Sequence, residues 1–317
     1  MFNYSIVIRT LGNTGEKYRR TLDAIVAQTI PPIEVIVAIP NGYELDHRIG
    51  YEKIVRSSKG MVGQRAAGIA AATGDYLLVV DDDIDFPPDF VEKLFTCMQE
   101  RKLDCVLTHG NGTAVPKHHS MSKARQFRGA FTGQFFFSKR ESPFFDTITS
   151  TGGHRTYVNH PEGLCQTGAG GCCFVKAEMA REAQFEEETW LDHGILYQYS
   201  SYEDAVFYYK LYLQGGRIAY TQTTDFTHLD AAAGRKARSR IESKRIRLYT
   251  IARNRTIFWY RLIWSNHRSL HNLVGGIYGI VNYAVYNIFA NIHPKNWPAI
   301  GALMQGYRDA FRFIRSK

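Results

Sequence analysis

Three consecutive aspartates, Asp81, Asp82 and Asp83, close the apolar run Tyr76-Leu77-Leu78-Val79-Val80. Adjacent carboxylates repel one another, so a fold that confines them is favoured by a cation among them. Oxygen donors of this kind suit Mg²⁺ or Mn²⁺, which take phosphate oxygens as further ligands. The run reads as a buried strand that delivers acids to its C-terminal end, with Ile84-Asp85-Phe86-Pro87-Pro88-Asp89 leading into a helix. Open parallel sheets bind ligands at such junctions, so a metal-held diphosphate is the chemistry expected here; a solvated acidic turn is the bland alternative. A second acidic pair, Glu203-Asp204, precedes Ala-Val-Phe-Tyr-Tyr and taken alone is an acidic helix start favoured by the helix dipole. Arg9, Arg65 and the Arg235–Arg238 segment have the guanidinium geometry for phosphate oxygens, although each also reads as a solvated arginine.

The elements that must position these groups alternate through the first hundred residues. Tyr4–Ile8, Ile33–Ile39, Lys53–Arg56 and Tyr76–Val80 are short β-branched runs, as strands buried on both faces require. Tyr18, Leu22, Ile25 and Thr29 share one helical face, Gly60–Thr73 is an Ala-rich helix, and Pro87–Arg101 opens on prolines suited to a helix start. This alternation predicts an α/β fold with a parallel sheet covered on both faces. Residues 109 to 167 lose the pattern; some hairpin structure is expected there, and His109, His118, His119, His154 and His160 read as loop residues without ligand spacing. A long segment of this kind carries function or covers a site. Order returns at the glycine turn Gly168-Ala169-Gly170-Gly171, which feeds a strand. A helix from Glu203 to about Gln214 then ends at Gly215-Gly216, followed by a strand over Arg217–Thr221 and by Phe226-Thr227-His228.

At 317 residues, with 44% hydrophobic and 22% charged residues, the chain is globular in composition. Its five cysteines form no CxxC pair and have no zinc-site spacing, which predicts a reducing, cytoplasmic setting. The N-terminus runs straight into a strand without a leader pattern, and secretion is not expected. The net charge of +9 is local: residues 235–268 hold eleven Lys/Arg against one acid, Glu242, and the remainder is nearly neutral.

The series Ser5-Ile6-Val7-Ile8-Arg9-Thr10, Gln28-Thr29, Pro32-Ile33-Glu34-Val35-Ile36-Val37, Gly63-Gln64-Arg65-Ala66-Ala67-Gly68, Gly74-Asp75 before the three aspartates, the 168–171 glycine loop, Glu203-Asp204 and His228 resembles the family 2 glycosyltransferases, inverting enzymes of the GT-A fold. The resemblance covers roughly residues 3 to 230. It implies a GT-A domain over residues 1–230, a Rossmann-like, mostly parallel sheet with helices on both faces, and a basic, aromatic helical appendage over residues 231–317. It also implies Mn²⁺ or Mg²⁺ and transfer of a sugar from a nucleotide-diphosphate-sugar donor to a hydroxyl on a saccharide or lipid-linked saccharide, as in cell-surface polysaccharide or glycolipid synthesis. By the same resemblance, Asp204 is the general base and Glu203 orients it. Asp83, Asp81 and His228 hold the metal, and Arg9, Thr10, Asn41, Arg65, Asp81, Asp82, Gly170 and Gly171 bind the donor. Two positions depart from the family pattern: Ala38-Ile39-Pro40-Asn41-Gly42 lacks the acid usual after the second strand, and Arg65-Ala66 replaces Arg-Asn. Both leave the nucleotide base open.

Residues 269–294 carry no Lys, Arg, Asp or Glu, a 26-residue run long enough to span a bilayer. Its His and Asn residues are disfavoured in hydrocarbon, and Gly275, Gly276 and Gly279 suit close helix packing. The expectation is therefore helices on the core or on a membrane face, with peripheral contact through residues 235–294 at the inner face of the membrane and arginines meeting anionic lipid. A nucleic-acid- or membrane-binding protein with a degenerate transferase site is the alternative from another class; it leaves the order of acidic, glycine and histidine motifs unaccounted for. No nucleic-acid partner is expected, and oligomeric state is left open.

Overall fold

The computed structural model describes residues 2–110, 137, 142–157, 162–168, 171–194, 201–229 and 239–316. Strands β1 (Tyr4–Arg9), β2 (Glu34–Pro40), β3 (Lys53–Ser57) and β4 (Tyr76–Asp81) form a parallel set in the order β3-β2-β1-β4. Helix α1 (Glu16–Val26) connects β1 to β2, and α2 (Met61–Ala71) connects β3 to β4. Period-two alternation sends successive strand residues to opposite layers. Ile6, Ile8, Val35, Val37, Leu78 and Val80 pack with α1 and with α3 (Phe90–Glu100). Val7, Ile36, Leu77 and Val79 pack in the other layer with Val62, Ala66 and Ile69 of α2. Each buried aliphatic side chain contributes roughly 1.5–3 kcal/mol relative to exposure, and this two-sided burial is what reads as unbroken apolar runs.

Two local expectations shift. Thr29 lies beyond the end of α1, and its N–H donates to Pro88 O at 2.8 Å. The prolines precede α3 instead of opening it: Pro87 O accepts from the Gln28 amide at 2.9 Å, so both carbonyls tie the exit of α1 to the entry of α3.

Past β4 the sheet becomes mixed. A two-residue strand, β5 (Ile84–Asp85), follows the acids, and then come β6 (Cys105–Gly110), β7 (Phe144–Ile148), β8 (His154–Thr156), β9 (Leu164–Cys165), β10 (Cys172–Lys176) and β11 (Ile218–His228). β10 is antiparallel to both β4 and β6, β11 lies parallel to β6, and β9, β7 and β8 complete the far edge. The expected hairpin is the antiparallel β7–β8 pair. His109 and His154, expected in loops, lie on β6 and β8, and His109 stacks on Tyr220 with ring centroids 4.4 Å apart. His118, His119 and His160 lie outside the described residues.

Two helices follow β10: α4 (Ala177–Glu182) and, after the 3₁₀ segment Phe185–Asp192, α5 (Glu203–Leu213). The Gly215-Gly216 pair closes α5 as expected, donating to Tyr212 O and Leu211 O with Gly215 at φ +88°. The C-terminal region is α6 (Arg240–Phe258), a π segment (Trp259–Trp264), α7 (Leu270–Ala290) and α8 (Trp297–Arg315). Ile257, Phe258, Leu262 and Ile263 join the α2 layer of the main core, whereas Leu248 and Ala252 make a smaller core with Ala299, Leu303 and Tyr307. Close approach holds α7 to the sheet domain: a Cβ at Gly276 would come within 2.0 Å of Trp259, and one at Gly279 within 2.5 Å of Thr151 O.

Three arginines of α6 and the π segment, Arg253, Arg255 and Arg261, turn inward, whereas Arg240, Arg245 and Arg247 are exposed. Arg255 donates to Thr151 O at 2.9 Å, Arg253 to Asn254 at 2.7 Å, and Arg261 to the buried carboxylate of Glu188 at 2.8 Å. Lys210 joins Arg261 on Glu188 at 3.1 Å, so the acidic stretch at 186–188 supplies the counter-charge that lets this part of the basic segment pack against the domain.

Candidate active site

The C-terminal ends of β1 and β4 set Arg9 beside Asp81 in register, and their side chains pair at 2.9 Å. Arg65, brought up from α2, is almost fully buried and joins three acids. It lies 3.4 Å from Asp81, 2.5 Å from Glu203 Oε1 and 3.3 Å from Asp204 Oδ1. Glu203 is buried and Asp204 is partly exposed, so the two neighbours at the start of α5 differ in access to solvent. Burial works against the charge of Arg65, but Glu203, Asp204 and Asp81 reverse this and hold its pKa above the ordinary arginine value. Burial likewise pushes Glu203 up to about 7, against the pull of Arg65 and Arg9. Tyr202, immediately before the pair, has φ +78°, an unusual conformation for a bulky residue. Its hydroxyl donates to Gly152 O at 3.1 Å, and its ring packs on Phe258.

A second grouping shares Asp81. The ligand-bearing atoms of Asp81, Asp83 and His228 lie within 4.8 Å of one another. His228 ends β11, where β5 pairs with it antiparallel, and Leu229 N donates to Asp83 O at 2.8 Å. This pairing sets the imidazole Nε2 3.6 Å from Asp83 Oδ1. Two carboxylates and one imidazole fit a divalent cation such as Mg²⁺ or Mn²⁺.

Asp82 points elsewhere: it accepts hydrogen bonds from Thr10 Oγ1 at 2.5 Å and Thr14 Oγ1 at 2.6 Å. Burial raises its pKa despite these two hydroxyls. Asp82 and Thr10 thus hold the loop after β1. Asn41 stands on the exposed turn after β2, its N–H donating to Ser57 O at 3.0 Å. Gly171 is at φ +112°, which favours glycine, and its carbonyl accepts from Asp81 N at 2.9 Å. Gly170 and the Arg235–Arg238 segment lie outside the described residues.

Several supporting groups had no motif to announce them. The Gln64 amide donates to Thr10 O and Ala38 O, joining the ends of β1 and β2. Asp192, distant in sequence, accepts from Val62 N at 3.1 Å and Gly63 N at 2.8 Å and so caps the first turn of α2, the helix that carries Arg65. Gly60 leaves room for that carboxylate, since a Cβ there would approach it to 2.2 Å. Neither Asp192 nor Tyr202 has a spacing signal in the sequence.

Beside Asp204 lies a cavity of about 420 Å³ whose lining includes Asp146, His154, Thr167, Ser201 and Tyr202. Burial pushes Asp146 up to about 8, only partly offset by hydrogen bonds from Thr156 Oγ1 and the Thr147 amide. In the unfolded chain the same group loses its proton near the ordinary 3.8. The unfolded chain therefore binds fewer protons between about pH 4 and pH 8, and stability falls as pH rises through that window, by about 1.4 kcal/mol per unit. Asp146→Asn is expected to remove this contribution and make the fall of the urea midpoint between about pH 5 and pH 8 shallower, leaving the part due to Glu203. A wild-type midpoint already flat there would mean that Asp146 is solvated.

A mixed sheet with paired acids at the end of β4, met by Glu203-Asp204 from α5 and by a histidine from the last strand, is a nucleotide-diphospho-sugar transferase fold of the GT-A class. Residues 5–159, just under half of the chain, match the family model described as Glycosyl transferase family 2. It is 26% identical over 153 residues to the glycosyltransferase GlyA of Streptococcus pneumoniae serotype 4, covering 45% of this chain and 20% of that protein. It is 27% identical over 110 residues to the glucosyl-dolichyl phosphate glucuronosyltransferase of Haloferax volcanii, covering 32% of this chain and 34% of that protein. The chain thus spans about a fifth and a third of the lengths of these two relatives. Among solved structures, residues 1–349 of TarS from S. aureus superpose with a TM-score of 0.44 at 13% identity, covering 99% of this chain and 92% of that one.

Proposed function

We propose that this chain is an inverting glycosyltransferase that moves a sugar from a nucleotide-diphosphate-sugar donor to a hydroxyl acceptor, with Asp204 as general base. The observation that carries the reading is that Asp81 of the Asp81–Asp83–His228 donor set and Asp204 meet on Arg65, with a cavity beside Asp204. Asp81, Asp83 and His228 would hold Mn²⁺ or Mg²⁺, which when bound neutralises charge on the departing diphosphate. Arg9 and Arg65 fix the orientation of Asp81, and Arg65 also fixes Asp204, which takes the proton of the acceptor hydroxyl.

Inversion is supported by which carboxylates are accessible. A retaining double displacement needs a second carboxylate free to attack the sugar. Glu203 is buried against Arg65, and Asp146 keeps its proton up to about 8. The polar side chains that line part of the cavity, Asp146, His154, Thr167 and Ser201, suit a saccharide hydroxyl. A lipid-linked saccharide is supported by the Haloferax volcanii relative, whose name includes glucosyl-dolichyl phosphate. Such an acceptor would fit a role in cell-surface polysaccharide or glycolipid synthesis at the inner face of the membrane. Asn41, exposed after β2, leaves the base unassigned.

The test is calorimetric titration of UDP, GDP, dTDP and CDP into the full chain, with and without Mn²⁺. One nucleotide is expected to bind, and excess chelator to abolish that binding. Loss of an outer partner of a metal ligand already costs about 10–100-fold in affinity, so Asp83→Ala or His228→Ala is expected to weaken metal-dependent binding by at least about 10-fold. Binding of no nucleotide by the folded protein would overturn the reading.

A further inference from the structure

Nine of the thirteen large apolar side chains exposed among the described residues lie between Leu270 and Phe311. On α7 they follow the helical repeat: Leu270, Val274, Ile277 and Val281 stand at i, i+4, i+7 and i+11, all exposed, opposite the buried glycines that meet Trp259 and Thr151. By length and composition α7 could cross a bilayer, with 21 residues and a mean hydropathy of 1.3. Its glycine stripe is instead seated on the domain, so only one apolar stripe faces outward.

Helix α8 repeats the arrangement with charge added. Trp297, Met304 and Phe311 are exposed on the same stripe as Arg308, Arg312 and Arg315, within about 100° of arc. The single acid from residue 270 to the end of the chain is Asp309, and it is engaged: Tyr249 donates to it at 2.8 Å, Gln305 at 2.8 Å, and Arg312 approaches to 3.6 Å. The outward surface of the two helices is therefore apolar and basic without exposed acid.

We infer that this surface seats the protein on an anionic lipid bilayer, with the apolar stripes entering the headgroup layer and Arg308, Arg312 and Arg315 contacting lipid phosphates. A helix with an apolar stripe and arginines beside it lies in the plane of such an interface, and tryptophan is enriched at headgroup depth. A second copy of the chain fits less well, because two such faces would bring arginines together with no acid between them. The inference is independent of the transferase reading. It centres membrane contact on the outer faces of α7 and α8, away from the inward-turned Arg253, Arg255 and Arg261.

Co-sedimentation of the full chain with phosphatidylcholine vesicles, with and without phosphatidylglycerol, tests it. Binding is expected only with the anionic lipid and is expected to weaken as salt rises. Arg308→Gln/Arg312→Gln/Arg315→Gln should lower the partition coefficient on the order of 100-fold, about fivefold per arginine. Ile277→Ser/Val281→Ser should also lower it, with an unchanged urea midpoint showing that both variants fold. The inference is overturned by equal binding to neutral vesicles, by no binding to either kind, or by an undiminished triple-arginine variant. Sedimentation velocity supplies a further check: a dimer that dissociates on Ile277→Ser/Val281→Ser would assign the face to a second copy and overturn it as well.

Discussion

Asp204→Asn is expected to lower sugar transfer by about 10²–10⁴-fold, the usual contribution of a positioned general base. The substitution keeps the shape of the side chain and an oxygen for Arg65, which lies 3.3 Å from Asp204 Oδ1. It removes the lone pair that accepts the acceptor's proton. Metal-dependent nucleotide binding should stay at wild-type strength, since Asp204 is outside the Asp81–Asp83–His228 group. The measurement is steady-state transfer once the nucleotide has been found, alongside calorimetry on the same preparation. A variant with wild-type turnover would remove Asp204 from the chemistry; one that lost nucleotide binding in proportion would make it a donor ligand.

Arg65→Met is expected to cost about 3–5 kcal/mol of stability, the range for removing one partner of a buried ion pair. Methionine fills much of the volume but leaves Glu203 and Asp81 without the guanidinium that lies 2.5 Å and 3.4 Å away. The loss should depend on pH. Glu203 in the wild type titrates at about 7, and without Arg65 it holds its proton to higher pH still. In acid Glu203 is neutral and misses its partner less, so the destabilisation should be smaller at about pH 5.5 than at about pH 8.5. Urea unfolding of both proteins at the two pH values measures this. A solvated surface arginine would change stability by no more than about 0.5 kcal/mol, and that result would contradict the buried cluster.

That contrast shows how far the sequence could be read. Taken alone, Arg65 was an ordinary solvated arginine, because nothing in a linear pattern reports that Asp81, Glu203 and Asp204 converge on it from two other elements. The strands were legible because burial on both faces produces apolar runs such as Val35-Ile36-Val37 and Leu77-Leu78-Val79-Val80. The acids at the end of β4 were legible for the same reason, since a run that stops at Asp81 marks where the sheet stops. Charge counting could not tell inward from outward arginines in the C-terminal region. Arginine density gives no helical face, and Arg253, Arg255 and Arg261 face inward, while sparse Arg308, Arg312 and Arg315 line the outward stripe of α8. Asp192 and Tyr202 were invisible for another reason: one caps a helix from far along the chain, and the other is marked only by a backbone angle.

β11 has a consequence for synthesis. It fills the place between β6 and β9, and its last residue, His228, completes the group with Asp81 and Asp83. A ribosome releases Asp81 and Arg65 early and His228 much later, after β10 and α5 have been made. The nascent protein therefore carries its acids through the synthesis of residues 84–202 without the imidazole or the Glu203-Asp204 pair. An interrupted chain ending before β11 has the front of the sheet but lacks one of the three candidate metal ligands. Late arrival of this one strand makes the complete site a marker of a nearly finished domain.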